Sequence, residues 1–216
     1  MTPGRRILWL AAAAAAACAG GAPRTALECV DASALQRFTF TDRAAWRWFE
    51  SGRSHDSPAG GCWLELHAAS AYEPEHRSPH SLAILDGAAF DDLDLTVEAR
   101  QTGREYPHRD LVLVFAYRDP AHFAYAHLAS VGDESAHHIQ LVDGADRRPV
   151  TTQRSRGVDW GKGWHQLHLR RTGVSVTVWF DGAEVLRGEV PTGRGKVGFG
   201  SFDDVGCFRK LHVQAR

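Results

Sequence analysis

Hydrophobic residues in this chain occur in short runs and not at the spacing of an amphipathic helix. From Phe38 onward, runs rich in Val, Leu, Phe, Tyr and Trp alternate with Gly, Asp and Pro at intervals of about ten residues, which is typical of an antiparallel sandwich or barrel. The pattern predicts an all-β fold in which two sheets pack face to face. The predicted strands are residues 62–68, 82–86, 92–101, 110–118, 122–130, 137–143, 149–154, 164–171, 174–181, 183–189, 196–201 and 206–214.

Three dipeptides predict tight turns between these strands. Asp119-Pro120 starts a turn because proline presets φ at the first corner. Thr172-Gly173 and Asp181-Gly182 provide glycines that accept the positive φ of two-residue hairpins. Residues 167–190 are therefore predicted to form a three-stranded antiparallel meander.

The N-terminal part differs in composition from the rest of the chain. Arg5 and Arg6 precede an apolar run that ends on small residues, which is the pattern of an export signal. The run is too short to span a bilayer. We predict a signal peptide over 1–18, a tether over 19–34 and one domain over 35–216, a length that a single all-β domain commonly reaches.

Cys18 leaves two routes of export open. The segment from Ala15 to Cys18 resembles a bacterial lipobox, in which Cys18 carries the lipid, although Ala15 stands where such boxes usually have Leu. A lipoprotein and a cleaved secreted protein both fit the sequence. The predicted locations are the periplasm, the outer membrane as a lipoprotein, and the extracellular space, with membrane attachment only through an N-terminal lipid.

Three further cysteines, Cys29, Cys62 and Cys207, are expected to meet an oxidising compartment. An odd number predicts one disulfide and one buried thiol, and the sequence leaves the pairing open. Their wide spacing does not match a zinc site, whose ligands come in close pairs.

Charge and histidine spacing restrict the ligand classes. The formal net charge of −1, without a basic stripe, argues against nucleic acid. His137 and His138 point to opposite faces of a predicted strand, so they do not share one metal ion. Asp203 and Asp204 are candidate calcium ligands, but no further oxygen ligands follow at fixed spacing. We therefore expect no cofactor, with calcium left open.

Three blocks of sequence resemble a known fold family. They are FDDLDLTVEAR, GWHQLHLRRTGVSVTVWFDGAEV and GKVGFGSFDDVGCFRKLHVQ, within residues 85–214. Together they resemble the concanavalin A-like lectin/glucanase jelly roll, and most of all its secreted bacterial 3-keto-disaccharide hydrolase-like (LamG-like) branch. The resemblance implies a two-sheet antiparallel jelly-roll β-sandwich whose concave sheet holds sugars. It does not imply one chemistry, because the superfamily includes lectins, glycosidases, lyases and adhesion modules.

The segment HRDLVLVFAYRDPAHFAYAHLAS, residues 108–130, places aromatic and polar groups on two predicted strands. The cross-strand pairs predicted from its turn are Tyr117 with Phe123, Phe115 with Tyr125, and Leu113 with His127. One side of the sheet would then be aromatic, and the other would pack against the second sheet. That packed side is predicted to carry Val112, Val114, Ala116, Ala124, Ala126 and Leu128.

Neighbouring strands add polar side chains in the same phase, and the resemblance to the jelly-roll family implies that the aromatic side is the sugar-binding floor. Aromatic rings stack on sugar C–H groups, and imidazole, amide and guanidinium groups bond hydroxyls. The predicted ligand contacts are Tyr117, Tyr125, His127, His138, Gln140 and Arg170. The alternative is an accessory core beneath a loop, and the sequence leaves both open.

Acidic residues on one predicted strand invite comparison with glycosidases. Asp92 and Asp94 lie about 6.6 Å apart along a strand, but Glu98 lies about 13 Å from Asp94, beyond the separations of about 5–9.5 Å that glycoside hydrolysis uses. We interpret these acids as a solvated strand face. If the protein is an enzyme, His127 and Asp110 are the candidate acid and base.

The sequence therefore predicts an exported carbohydrate-binding or carbohydrate-processing accessory module whose partner is an oligo- or polysaccharide. One alternative is a glycoside hydrolase that acts on a disaccharide or polysaccharide. The other is an envelope protein-interaction domain without sugar binding. Whether the protein is an enzyme stays open at this point.

Overall fold

The computed structural model describes residues 24–27, 32–51 and 61–216. Within these ranges the chain forms sixteen strands and two short 3-10 helices, Ala32–Arg37 and Arg43–Ala45. The strands are β1 (Arg24–Leu27), β2 (Phe38–Phe40), β3 (Trp46–Ser51), β4 (Gly61–Leu66), β5 (Ser81–Leu85), β6 (Leu93–Gln101), β7 (Asp110–Asp119), β8 (His122–Ala129), β9 (Ile139–Asp143), β10 (Arg148–Pro149), β11 (Thr151–Arg154), β12 (His165–Thr172), β13 (Ser175–Phe180), β14 (Ala183–Glu189), β15 (Lys196–Ser201) and β16 (Gly206–Ala215).

The strands form two antiparallel sheets. The sheet that we call the large sheet has the order β11-β14-β13-β12-β6-β16-β4-β3, and β1 also pairs with β16. The sheet that we call the small sheet has the order β10-β9-β8-β7-β15-β5-β2. The predicted all-β, two-sheet antiparallel sandwich is confirmed.

Alternating burial along β6 shows how the large sheet is placed. From Leu93 to Arg100, its apolar residues point into the sandwich and its polar residues point outward, as expected for a strand with one face on the core. The inward residues are Leu93, Leu95, Val97 and Ala99, and the outward ones are Asp94, Thr96, Glu98 and Arg100. The outer face of the large sheet is therefore polar.

The small sheet is buried on both faces, which explains the continuous apolar runs of β5 and β7. One face packs against the large sheet through Leu111, Leu113 and Phe115. A second apolar cluster covers the other face, and its buried residues are Leu82, Ile84, Val112, Val114, Phe123, Tyr125 and Val142. The two sheets therefore differ in their outer faces, because only the large sheet has a polar one.

The pairing of β7 with β8 differs from the predicted one by one residue. Tyr125 lies opposite Val114, and His127 lies opposite Val112. A register shift occurs between Phe115 and Asp119, where Ala116 has a φ of 52°, as in a bulge. Because of this shift, Leu113 and Phe115 enter the main core, whereas Val112 and Val114 join the aromatic side, which corrects the predicted faces.

The meander of β12, β13 and β14 forms as predicted. Phe180 pairs with Ala183, so Asp181 and Gly182 form the two-residue turn, and their φ values of 48° and 81° are those of a primed hairpin turn. In the preceding hairpin, Thr172 pairs with Ser175, so the turn residues are 173–174, one position later than predicted.

The structure describes only part of the N-terminal region for which predictions were made. Residues 24–27, inside the predicted tether, form β1 and pair with β16. The predicted signal peptide and the residues Cys18 and Cys29 lie outside the described residues. No helix in the described ranges is long and apolar enough to cross a membrane.

The cysteines follow the predicted division into a bridge and a thiol. Cys62 is disulfide-bonded. Cys207 is free and buried on β16.

Candidate functional site

The predicted aromatic floor is covered by the protein itself. Tyr125 has no solvent exposure, and Gln140 and His127 are 1% and 4% exposed. Phe202 lies over them, with its ring centre 5.5 Å from that of His127 and 6.2 Å from that of Tyr125. The expectation that these side chains line an open groove is therefore corrected, because a second apolar layer occupies the space above them.

Arg147 and the loop over residues 133–136 complete this cover. The guanidinium of Arg147 lies 4.2 Å from the ring centre of Phe202 and donates to the hydroxyl of Tyr125. The main-chain oxygen of Ser135 accepts from Nε2 of Gln140 at 3.1 Å and lies 3.4 Å from Nδ1 of His127. The alternative interpretation from the sequence, an accessory core beneath loops, describes this region.

Tyr117 and His138 lie at the margins of the covered region. Tyr117 is half-buried against Phe123, and burial raises the pKa of its hydroxyl to about 12. Nε2 of His138 donates to the main-chain oxygen of Asp133 at 2.9 Å, and its Nδ1 lies 3.1 Å from the hydroxyl of Thr151. Both ring nitrogens of His138 are therefore occupied by the fold.

The candidate acid and base, His127 and Asp110, do come together. Nε2 of His127 lies 3.1 Å from Oδ2 of Asp110, without the alignment of a hydrogen bond. The other carboxylate oxygen of Asp110 accepts from the hydroxyl of Ser201 at 2.8 Å. Both side chains are 5% exposed, so a substrate does not reach them, and the pair ties β7, β8 and β15 together.

Arg170 belongs to the other sheet, apart from the remaining predicted contacts. It lies on β12 with an exposed side chain that points outward from the large sheet. A groove of about 480 Å³ runs over this face, where β1, β16, β6 and β12 are neighbours. Its lining residues are Arg24, Thr25, Ala26, Asp94, Thr96, His168, Arg170, His212, Val213 and Gln214. We call it the outer groove.

Asp94 lies at the centre of the outer groove and binds three side chains. Its Oδ1 accepts from Nε2 of His168 at 2.8 Å and from Nε of Arg170 at 2.9 Å, and its Oδ2 accepts from Arg216. Partial burial alone would raise the pKa of Asp94, but these three hydrogen bonds outweigh it and lower the pKa below the ordinary value. Asp94 is therefore an ionised hydrogen-bond acceptor.

An aromatic stack borders the outer groove. The imidazole of His168 stacks on the indole of Trp179, with ring centres 4.5 Å apart and planes 18° apart. The two residues are direct cross-strand neighbours on β12 and β13. The guanidinium of Arg170 lies 5.7 Å from the ring centre of Trp179, at the edge of cation–π range. Ring surface and hydrogen-bonding groups thus meet at one partly exposed place.

A second carboxylate on the same face has a similar environment. Glu98 lies four residues after Asp94 on β6 and accepts from Nε of Arg209 and from Nζ of Lys210, both at 2.7 Å. Burial would raise the pKa of Glu98, but these two hydrogen bonds lower it below its ordinary value. Each of the two outward carboxylates on β6 therefore faces two cations.

Aromatic residues continue beyond Glu98 toward the edge of the large sheet. Phe49 stacks on Trp63 with ring centres 4.6 Å apart, and Trp63 meets Trp164 edge to face. The guanidinium of Arg209 lies 4.0 Å from the ring centre of Trp164. On the outer face of the large sheet, aromatic rings thus lie beside each of the two carboxylate sites, Trp179 near Asp94 and Trp164 near Glu98.

Trp179 and Asp94 were not predicted from the sequence as site residues, and His168 and Arg170 were expected on the floor that carries Tyr125. The signal was present in the outward positions of DLDLTVEAR, LHLRR and VTVWF, which alternate with apolar residues. No group of three or more potential metal ligands occurs in the described part of the chain.

Comparisons with solved structures identify the fold. A carbohydrate binding module, CBM66 from Bacillus subtilis, superimposes with a TM-score of 0.58 at 12% identity, covering 82% of this chain and 95% of that one. The carbohydrate recognition domain of Emp47p gives 0.52 at 12% identity, with coverages of 88% and 94%. A β-glucanase from Bacillus licheniformis gives 0.50 at 11% identity, with coverages of 92% and 100%.

At these identities the likeness establishes the fold alone. The predicted concanavalin A-like jelly roll is confirmed, whereas the narrower LamG-like assignment stays a prediction. No protein-family model matches the sequence, and no curated protein matches it at a significant level.

Proposed function

We propose that this protein is an exported carbohydrate-binding module that holds an oligo- or polysaccharide in the outer groove of the large sheet. The observation that carries the proposal is the junction of Asp94, His168, Arg170 and Trp179. A sugar offers hydroxyl groups and apolar C–H patches, and this junction offers hydrogen-bonding groups beside a ring stack. The similarity to a carbohydrate binding module and a carbohydrate recognition domain supports the choice of ligand class.

The electrostatics of the groove favour binding over glycoside hydrolysis. A general acid for glycoside cleavage needs a carboxyl group that keeps its proton near neutral pH. The pKa values of Asp94 and Glu98 are both lowered by neighbouring cations, so both groups are ionised there. Their spacing of about 13 Å along β6 is also longer than such catalysis uses.

Export is part of the proposal. The disulfide bond of Cys62 supports it, because disulfides form and persist in oxidising compartments. The periplasm, the outer membrane and the extracellular space all meet this condition. Lipidation of Cys18 would fix the protein to a membrane, and mass spectrometry of the mature N-terminus decides between the lipoprotein and the cleaved form.

The test is retention on a glycan array by the wild type and by two variants on opposite sheets. Trp179→Ala removes the ring stack of the outer groove, and Tyr117→Ala removes a half-buried ring from the small sheet. We expect the wild type and Tyr117→Ala to be retained on the same glycans and Trp179→Ala to lose retention. Circular dichroism and thermal melting verify that both variants fold. If Trp179→Ala does not fold, Arg170→Gln takes its place in the test.

The opposite pattern overturns the proposal. Loss of retention with Tyr117→Ala but not with Trp179→Ala would place the ligand on the small sheet. If the wild type binds no glycan but co-purifies with an envelope protein, the protein-interaction alternative replaces this proposal. Release of shortened sugars from a retained glycan would instead favour the hydrolase alternative.

A further inference from the structure

The outer groove carries more positive than negative charge. Arg24 and Arg170 are among its lining residues, and Asp94 is the only acidic residue among the described residues that line it. Arg216 adds a further guanidinium at Asp94. The excess is local, because the whole chain has a formal net charge of −1.

Two of these cations keep hydrogen-bond donors for a ligand. Arg170 uses Nε for Asp94, and its two terminal nitrogens have no hydrogen-bond partner among the described residues. The guanidinium of Arg24 makes no polar contact within the described part of the chain, and its residue is exposed. Guanidinium groups with available paired N–H donors match the geometry of carboxylate and sulfate groups.

The sheet register sets the separation between the backbones of these two arginines. Arg24 is opposite Gln214, Gln214 is opposite Asp94, and Asp94 is opposite Arg170. Three strand spacings therefore separate the backbones of Arg24 and Arg170, which corresponds to about 14 Å. Two guanidinium groups thus flank a neutralised carboxylate across the groove.

The site around Glu98 extends this charge pattern along β6. Arg209 and Lys210 together exceed the charge of Glu98 by one, and their side chains are 22% and 46% exposed. This second site lies about 13 Å from Asp94 along the strand. A ligand that pairs with cations at both sites has to be extended and must carry more than one negative group.

We infer that the saccharide bound by the outer groove is an acidic one, an extended chain whose sugars carry carboxylate or sulfate groups. This inference rests on the proposed function and adds the chemical class of the ligand. The ring stack of His168 and Trp179 contacts sugar C–H surface, and Arg24 and Arg170 bind the anionic substituents. A polyanion without sugar rings lacks the first of these contacts.

The test compares matched acidic and neutral glycans on one array. The pairs are oligogalacturonate with its methyl ester, and sulfated with unsulfated galactan, so the two sources of negative charge are separated. We expect retention on at least one acidic member and about tenfold weaker binding to its neutral partner. Poly-glutamate serves as a polyanion without sugar rings and is expected not to compete.

Charge variants on opposite sheets provide the control. Arg170→Gln and Arg24→Gln are each expected to weaken binding of the acidic glycan about fivefold, and more at low salt than at high salt. Arg118→Gln makes the same charge change on the small sheet, at a side chain that is 61% exposed. It is expected to leave the affinity unchanged.

The outcomes separate this inference from the proposed function. Equal binding of acidic and neutral partners, with loss of both in Trp179→Ala, overturns the acidic ligand class and keeps the sugar-binding groove. Competition by poly-glutamate, or equal weakening by Arg118→Gln, overturns the inference because charge alone would then explain binding. Absence of retention on every glycan overturns both.

Discussion

Nε2 of His168 lies 2.8 Å from Oδ1 of Asp94, and this bond joins two neighbouring strands on the outer face of the large sheet. The bond runs diagonally, because the residue opposite His168 is Thr96 and the residue opposite Asp94 is Arg170. Asp94 also accepts hydrogen bonds from Arg170 and Arg216. One carboxylate therefore holds three side chains in place, which lowers the cost of ordering them when a ligand binds.

The covered aromatic side of the small sheet predicts a large effect of Tyr125 on stability. Tyr125→Ala is expected to lower the free energy of unfolding by about 3–5 kcal/mol, because it empties a fully buried ring site. Tyr125→Phe keeps the ring, loses the bond to Arg147 and should cost about 1 kcal/mol. Urea unfolding measures both. Unchanged stability of Tyr125→Ala, together with loss of glycan retention, would make this ring a ligand contact.

Arg171 is expected to hold the loop over residues 190–194 against the sandwich. Its guanidinium is buried and donates to the main-chain oxygens of Gly173, Pro191 and Gly193. Arg171→Met leaves these oxygens without their donor and should lower the free energy of unfolding by about 2 kcal/mol. The control is Arg187→Met, at an exposed side chain whose only ion-pair partner among the described residues is Glu184; it should change the free energy of unfolding by less than about 0.5 kcal/mol. Equal effects of the two substitutions would contradict this role.

His137 is expected to make the protein sensitive to mild acid. Burial, with further effects from His127, Arg154 and His138, lowers the pKa of His137 to about 4. The unfolded chain takes up this proton near pH 6.5, whereas the folded protein does so only near pH 4. Stability is therefore expected to fall as the pH decreases from 6.5 to 4.

The variant His137→Asn removes this titration, and asparagine tolerates the φ of 62° at this position. Urea unfolding at pH 7, 5.5 and 4.5 should show a weaker loss of stability for His137→Asn than for the wild type. His67→Asn, at an exposed histidine, should follow the wild type. A pH dependence that is the same in all three proteins would show that His137 is not the source.

Cys207 is expected to react slowly with thiol reagents in the folded protein. Its thiol is buried, and burial raises its pKa to about 11, although Nη2 of Arg100 lies only 3.9 Å from Sγ and opposes the shift. Iodoacetamide labelling followed by peptide mass spectrometry should modify Cys207 only after unfolding, because the thiolate is the reactive form. Labelling of native protein at the rate of a free cysteine would contradict the burial of this thiol.

Most strands were predictable from the sequence because each apolar run ends at a turn residue. The meander shows this clearly, since Asp181 and Gly182 have the positive φ values that the dipeptide predicts. The register of β7 and β8 was not predictable in the same way. A bulge at Ala116 shifts it by one residue, and an alanine does not signal positive φ.

The candidate site was harder to predict because residues distant in sequence decide which face is open. Phe202 and Arg147 cover Tyr125 from segments outside the β7-β8 hairpin, so the hairpin alone does not reveal the cover. Arg170 was predicted to share a floor with Tyr125, and Asp94 was assigned to a solvated strand face, but both lie together on the large sheet. Their pairing across β12 and β6 comes from long-range strand order, which alternation along one strand does not encode.

The most direct test of sugar binding in the outer groove is nuclear magnetic resonance of ¹⁵N-labelled protein, titrated with the glycan on which the protein is retained most strongly. If the outer groove binds the glycan, the largest shifts occur at the indole N–H of Trp179, the side chain of Arg170 and the backbone of β6 and β12. Shifts confined to Tyr117 and the β7-β8 hairpin, with the Trp179 signal unchanged, would contradict binding in this groove.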